Sequence, residues 1–258
     1  NRPLHDPRSV DKGADEISWS IPYLKVEKDD FAKGFDKPFQ NYYQSKPLID
    51  LINKIREEGI KNGLKGKELE DFVANGHRPL YEAIDVPDDA YIDGANTQKA
   101  IRQLNQLASE EKPFFMAVGL TKPHLPFVAP KKYWDLYKRE DIVVAPFQDK
   151  ITNSVGVAYH NAGELRAYTD MPADIASTPQ KDFGLTLSID KQKELLHGYY
   201  AAISYTDALV GKLLDALDSL DLSKNTIVVL WGDHGWHLGD HNLWCKHSNF
   251  EDATRAPL

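Results

Sequence analysis

A carboxylate and an imidazole lie side by side directly after an apolar run near the end of the chain. Asp233 and His234 follow the run NTIVVLW, and Gly232 and Gly235 flank the pair. Glycine lets a backbone turn sharply and approach a ligand closely. A buried Asp without a partner would be costly, and one carboxylate oxygen plus one imidazole nitrogen is half of a divalent-metal site. The alternative interpretation is a strand-end turn with two solvated polar side chains.

Two further segments carry groups that could bind an oxyanion. Lys122-Pro123-His124 follows a second apolar run, and the proline stiffens the loop so that its neighbours are held in place. Lys246 lies twelve positions after His234, and a compact ammonium suits a tetrahedral anion. Taken alone, each of these residues could also be an ordinary surface lysine or a histidine at the edge of the core.

The remaining histidines and the single cysteine of this region are weaker candidates. A zinc site built from His234, His237 and His241 is an open alternative, but its intervals match no established zinc motif. We expect His237 and His241 to orient loops. Cys245 lies in no obvious context for a reactive thiol, so we interpret it as a buried core residue. Candidates for lining a substrate site are Trp236, His237 and Trp244.

These polar clusters need strands and helices to bring them together. PFFMAVGL (113–120) and NTIVVLWGD (225–233) have the length and the β-branched and aromatic content of buried strands. A long helix followed by a buried strand predicts an α/β fold, in which ligands bind beyond the carboxyl ends of parallel strands. Both polar clusters lie at such ends. Apolar residues at helical spacing predict helices over 45–63, 66–76, 96–109, 131–138 and 189–220.

The composition restricts the classes of function. The chain has 258 residues, 41% of them hydrophobic, which is enough for one large α/β domain or two small ones. A formal net charge of −8 disfavours nonspecific binding to nucleic acid. No apolar run reaches the ~18 residues of a membrane-spanning helix. Cys245 is the only cysteine, which excludes an intrachain disulfide.

Together these segments resemble the type I sulfatases of the alkaline-phosphatase-like superfamily, and most closely their iduronate-2-sulfatase branch. One matching segment is PFFMAVGLTKPHLPFVAPKKYWDLY, with its Lys-Pro-His-x-Pro-Phe core, and the other runs from YYAAISYTDALVGKLL through LWGDHGWHLGDHNLWCKHSNFEDATRAPL. DPRSVDKGADEISWS is similar to the stretch that follows the nucleophile half. The resemblance implies an α/β sandwich in which helices flank a mostly parallel sheet, incomplete in this chain.

For the site, the resemblance implies one calcium ion, with Asp233 and His234 among its ligands. Lys246 matches a lysine that contacts the sulfate. His124 matches a histidine near the ester oxygen, where it can assist the leaving group, and Lys122 beside it is a further catalytic candidate. The nucleophile of this family is a formylglycine made from the Cys or Ser of a C/S-x-P-S-R segment, and that segment does not occur in this sequence.

We therefore expect residues 1–258 to be the central part of a sulfatase catalytic domain, without its nucleophile segment and C-terminal subdomain and inactive by itself. The expected partners are a sulfated glycosaminoglycan or other saccharide and the N- and C-terminal parts of the same enzyme, with no nucleic acid and no membrane span. The implied location is periplasmic, secreted or lysosomal. Two alternatives remain open. One is a phosphatase, phosphodiesterase or phosphonate hydrolase with two transition metals, and the other is a noncatalytic binding protein.

Overall fold

The structure is a computed structural model that describes residues 21, 23–110, 112–171 and 186–256. The segment DPRSVDKGADEISWS, which contributes to the family resemblance, lies outside the described residues. Helices provide most of the regular structure: α1 (Lys46–Lys61), α2 (Gly66–Gly76), α3 (Ile92–Ala108), α4 (Lys131–Trp134), α5 (Gly163–Arg166), α6 (Ile189–Ser219) and α7 (Glu251–Thr254). Short 3-10 turns lie at Lys28–Asp30, Asp88–Ala90, Arg139–Asp141, Gly156–Ala158 and Asp240–Asn242.

The sequence-based helix predictions are confirmed, with small differences at the ends. Helix α3 begins at Ile92, four residues before the predicted start, and α4 ends at Trp134 rather than at residue 138. Helices α1 and α2 pack against each other, so that Gly59 lies under the side chains of Leu69 and Phe72. Amphipathic patterning alone therefore located these elements, because each helix buries one stripe of apolar side chains.

Helix α6 is the central support of the described structure, since it contacts α3, α4 and the strand at Phe127–Val128. Its first turn is capped by Ser188, whose hydroxyl accepts a hydrogen bond from the N–H of Lys191 at 3.3 Å. Gly198 permits the close approach of α6, because a Cβ there would lie 2.9 Å from Phe127 and 3.0 Å from Trp134. Side chains of α6 in the main apolar core include Leu195, Ala201, Ala202, Tyr205 and Leu209.

The sheets within the described residues are short. Strands β1 (Tyr81–Glu82) and β2 (Phe127–Val128) run parallel, with Tyr81 opposite Phe127 and Glu82 opposite Val128. Strands β3 (His237–Leu238) and β4 (Trp244–Cys245) form an antiparallel pair in which His237 lies opposite Cys245. Helices combined with a short parallel pair agree with the predicted α/β class, of which the described part contains only a small piece of sheet.

The prediction that 113–120 and 225–233 form buried strands is wrong for both pairing and burial in the described structure. Neither run forms a strand ladder within the described residues, and Phe115 is 81% and Ile227 91% exposed. One side of the first run does pack, since Phe114 and Met116 lie against a small cluster around Leu104 of α3. The pattern indicated extended, strand-like segments, but burial and pairing depend on neighbouring strands that the described residues do not provide.

The buried apolar residues form two clusters. The larger joins β2, α4 and α6 with the segment around β4. The smaller joins α3 to the end of α6 through Leu104, Ala216 and Leu217. In the part of the chain that the structure describes, no helix combines the length and apolarity needed to cross a membrane.

Candidate active site

The turn that carries Asp233 and His234 is fixed by the segment that follows it. The N–H of Gly235 donates to the carbonyl of Ala253 at 2.8 Å. A Cβ on Gly235 would lie 2.1 Å from the carbonyl oxygen of Asp252, so no larger residue fits between the turn and α7. The glycine noted in the sequence is therefore required for a close approach of two backbone segments.

The imidazole of His234 is oriented as a metal-binding histidine would be. Its Nδ1 lies 2.8 Å from the carbonyl oxygen of Gly235. A carbonyl only accepts, so Nδ1 carries the proton and the Nε2 lone pair is left for another partner. That Nε2 is 3.8 Å from Oδ2 of Asp233, whose side chain is 82% exposed. Two donor atoms at this separation can share one cation.

The described residues supply only part of a cation's coordination shell. Calcium takes about six to eight oxygen ligands, and structural zinc about four ligands. Across the described ranges, no group of three or more His, Cys, Asp or Glu side chains is placed to hold a metal. Asp233 and His234 could therefore serve as two ligands of a metal site, whose other ligands would have to come from outside the described residues. The zinc alternative with His237 and His241 finds no support in this arrangement.

Three of the predicted polar residues lie around the ring of Trp236. The His124 ring lies 6.1 Å from it edge-on, and the His234 ring 6.4 Å away in a stacked arrangement. The Lys246 ammonium lies 4.9 Å from the ring centroid, a cation–π distance. Tyr199 of α6 stacks on the same indole at 6.4 Å. His124, His234 and Lys246, which span 122 positions of the sequence, thus lie around one ring.

The loop that carries His124 is held from inside by Lys122. The Lys122 ammonium donates to the carbonyl oxygens of His124 at 2.6 Å and Pro126 at 2.8 Å. Asp93 of α3 accepts the N–H groups of Thr121 at 2.9 Å and Lys122 at 2.8 Å. The structure thus turns the Lys122 side chain, only 7% exposed, into the loop. This arrangement gives it a positioning role, and a direct contact between Lys122 and a substrate stays a prediction.

The imidazole of His124 has Nε2 as the nitrogen that could exchange a proton with another group. Its Nδ1 lies 2.7 Å from the carbonyl oxygen of Leu125, so Nδ1 carries a proton in either charge state. Burial lowers the pKa of His124, and the charges of Lys246 and Lys122 lower it further, against the raising effects of the Leu125 carbonyl and Glu164. A lowered pKa makes the protonated imidazole a stronger acid.

Glu164 is a site residue that the sequence did not reveal. Its carboxylate oxygens lie 2.9 Å and 3.0 Å from the ammonium of Lys246, and Oε1 lies 3.7 Å from Nε2 of His247. Burial favours the neutral carboxyl, but the hydrogen bond and charge of Lys246 outweigh it, so the pKa of Glu164 lies below its ordinary value. The surrounding sequence, AYHNAGELR, has no periodicity or motif that could have indicated this role.

The remaining candidate residues from the sequence analysis have structural roles. His241 bonds the carbonyl oxygen of Asp149 at 2.8 Å and His237 bonds the hydroxyl of Ser248 at 2.6 Å, which confirms that both orient loops. Cys245 is 1% exposed and burial raises the pKa of its thiol to about 12, as expected of a core residue. His237 and Trp244, at 1% and 3% exposure, are too buried to line a substrate site, so of the three lining candidates only Trp236 lies among the polar residues.

Comparison with known proteins identifies relatives of this chain. The family model described as Sulfatase matches residues 21–258. Iduronate 2-sulfatase of Homo sapiens is 40% identical over 177 residues, which cover 69% of this chain and 32% of that protein. A sulfatase of Formosa agariphila is 34% identical over 151 residues, 57% of this chain and 27% of that protein. The chain thus spans about a third of the length of the curated relatives it matches.

A solved structure also matches this chain at low similarity. The phosphonate monoester hydrolase of Agrobacterium radiobacter matches with a TM-score of 0.48 and 19% identity, over 98% of this chain and 47% of that one. Choline-sulfatase of Rhizobium meliloti is 32% identical in sequence over 164 residues, 62% of this chain and 29% of that protein.

Proposed function

Because the chain belongs to the sulfatase family, we propose that it forms part of a sulfuric ester hydrolase that removes sulfate from a sulfated carbohydrate. The proposal rests on one observation, that His124, His234 and Lys246 lie around the ring of Trp236. A candidate acid, a candidate metal ligand and a cation within one cluster are three of the groups that would serve cleavage of a sulfate ester, in addition to a nucleophile from elsewhere. The human relative is named for iduronate 2-sulfate, which makes a sulfated uronic acid the first substrate to test.

Lys246 and His124 would act on opposite ends of the bond that breaks. The ammonium of Lys246 would bind sulfate oxygens and stabilise the charge that develops on them in the transition state. His124, held by the Leu125 carbonyl, would in its protonated form donate the proton on Nε2 to the departing alcohol oxygen and be left neutral with its proton on Nδ1. Removing one such contact commonly lowers the rate by about 10²–10³-fold.

Asp233 and His234 are the residues that would hold a calcium ion, and the Nε2 lone pair of His234 beside the Asp233 carboxylate supports this assignment. Bound there, the cation would supply Lewis-acid polarisation of the sulfate oxygens. Calcium prefers oxygen ligands, so we expect carboxylates outside the described residues to complete the shell. A formylglycine nucleophile, implied by the family resemblance, would likewise come from a segment absent from this sequence.

The setting of the enzyme follows from the same proposal. Its partners would be the sulfated saccharide and the N- and C-terminal parts of one sulfatase polypeptide. A periplasmic, secreted or lysosomal location would provide both the calcium and the sulfated polysaccharides on which such an enzyme depends. The alternative with two transition metals is not favoured, since the described residues hold no group of three or more His, Cys, Asp or Glu side chains that His237 or His241 could join as metal ligands.

The decisive variant is Asp233→Ala, made in the full-length protein that the gene encodes. Sulfate released from sulfated uronic-acid disaccharides is measured by ion chromatography, and bound calcium by elemental analysis. We expect loss of the bound ion together with a fall in turnover of at least about 10²-fold. Asp215→Ala, an exposed carboxylate on α6, is the matched control and should behave as wild type. Wild-type turnover in Asp233→Ala would refute the assignment.

A further inference from the structure

The ion pair between Glu164 and Lys246 is more enclosed than the surface pairs of this protein. The two side chains are 28% and 15% exposed, compared with 85% and 51% for the surface pair Lys46–Asp50. Both carboxylate oxygens lie within hydrogen-bond distance of the ammonium. An enclosed contact of this kind holds a lysine in one place, whereas exposed pairs do so weakly.

Glu164 can hold Lys246 because its own backbone is anchored on both sides. Leu165, the next residue in α5, is 2% exposed and belongs to the main apolar core. The side chain of Arg166 donates from Nε to the carbonyl oxygen of Asn161 at 2.6 Å. Ala162, just before the helix, donates its N–H to Nδ1 of His160 at 3.1 Å. The carboxylate therefore projects from a fixed turn.

The Lys246 ammonium contacts both Glu164 and Trp236. An ammonium has three N–H groups. Two suffice for the oxygens of Glu164, and the nitrogen also lies 4.9 Å above the ring of Trp236. Without the carboxylate, a side chain with four rotatable bonds and a strongly hydrated head would turn toward water. The cation would then no longer stay beside His124.

From these contacts we propose that Glu164 is a positioning residue that keeps the ammonium of Lys246 beside His124 and Trp236. Its catalytic consequence rests on the proposed sulfatase function, whereas the positioning itself does not. Glu164 makes no contact with substrate in this proposal and acts through Lys246. The carboxylate of Glu164 also offsets the charge of Lys246 at His124. The lysine lowers the pKa of that imidazole, and the glutamate raises it.

The test is a double-mutant cycle read out at His124. The pKa of His124 is measured by NMR of the ring protons in wild type, Lys246→Met, Glu164→Gln and the double variant. In the wild-type background, Lys246→Met should raise the pKa of His124, because a nearby positive charge is lost. In the Glu164→Gln background the same change should have little effect, because Lys246 has already left its place. Glu164→Asp, with a shorter carboxylate, should give an intermediate result and replaces Glu164→Gln if that variant does not fold.

The second part of the test measures kcat of the same variants in the full-length protein that the gene encodes. Glu164→Gln should lower kcat about 10–100-fold, and Lys246→Met should lower kcat by a smaller factor in the Glu164→Gln background than in wild type. The matched control is Glu70→Gln, which breaks an exposed two-oxygen pair with Arg56 and should leave both readouts unchanged. Equal effects of Lys246→Met on the pKa of His124 in both backgrounds would overturn the inference, as would a kcat of Glu164→Gln equal to wild type. If wild type releases no sulfate, the proposed function fails, and the NMR cycle still decides the positioning.

Discussion

The carboxylate of Asp93 secures the loop that presents His124, so Asp93→Ala should both destabilise the fold and displace that histidine. The Asp93 side chain is 4% exposed and accepts the N–H groups of Thr121 and Lys122. Each hydrogen bond to a charged group contributes about 1.5–3 kcal/mol. Thr121 is exposed, so water can replace part of its bond, whereas the N–H of Lys122 is buried. The expected loss in the free energy of unfolding is therefore about 2–4 kcal/mol.

Urea unfolding followed by far-UV circular dichroism measures this loss. Asp93→Asn keeps an amide oxygen as acceptor and should lose about half as much stability, about 1–2 kcal/mol. Asp215→Ala, an exposed position on α6, should stay within about 0.5 kcal/mol of wild type. Where sulfate release is measured, Asp93→Ala should reduce it about 10²-fold, the usual result of misplacing a reacting group by about 1 Å. Equal urea midpoints for Asp93→Ala and Asp215→Ala would refute the reasoning.

Two further predictions concern buried polar groups. Tyr205→Phe removes a hydroxyl that accepts from the N–H of Gly94 at 2.9 Å and donates to the carbonyl of Asp88 at 2.7 Å. It should cost about 2–4 kcal/mol in urea unfolding, against about 1 kcal/mol for Tyr43→Phe, which leaves only one carbonyl unpaired. Burial lowers the pKa of Lys122 from 10.5 to about 8, so between these pH values this group binds more protons in the unfolded chain, and the contribution of Lys122 to stability should rise with pH. Lys122→Met should abolish that rise, and an unchanged pH dependence of the urea midpoint would contradict the assignment.

The helices could be predicted from the sequence because their information is local. The apolar stripe and the glycine stop of SKPLIDLINKIREEGIKNG suffice to locate α1, and GKELEDFVANG matches α2 residue for residue. The runs 113–120 and 225–233 illustrate the limit of this approach. Their composition indicated strands, but a ladder needs a partner at hydrogen-bonding distance, and within the described ranges neither run has one. The two-residue strands β1 and β2 are too short to leave a pattern.

The candidate site was predictable where its residues follow recognisable segments. His124, His234 and Lys246 were selected by type and position, and the structure brings them to Trp236. The orientation of Lys122 into its own loop could not be predicted from the sequence. The two backbone carbonyls that accept hydrogen bonds from its ammonium come near it only once the loop has folded. Glu164 was missed for the same reason: its partnership with Lys246 spans 82 positions and depends on tertiary packing.

The segment 227–231 has a consequence for anyone who handles this polypeptide. Ile227, Val228, Val229, Leu230 and Trp231 are each more than half exposed, in a stretch without charge or proline. Backbone groups left open beside such side chains are a template on which another molecule can add a strand, which is how ordered aggregates begin. We therefore expect this stretch to promote association of the isolated polypeptide despite its net charge of −8.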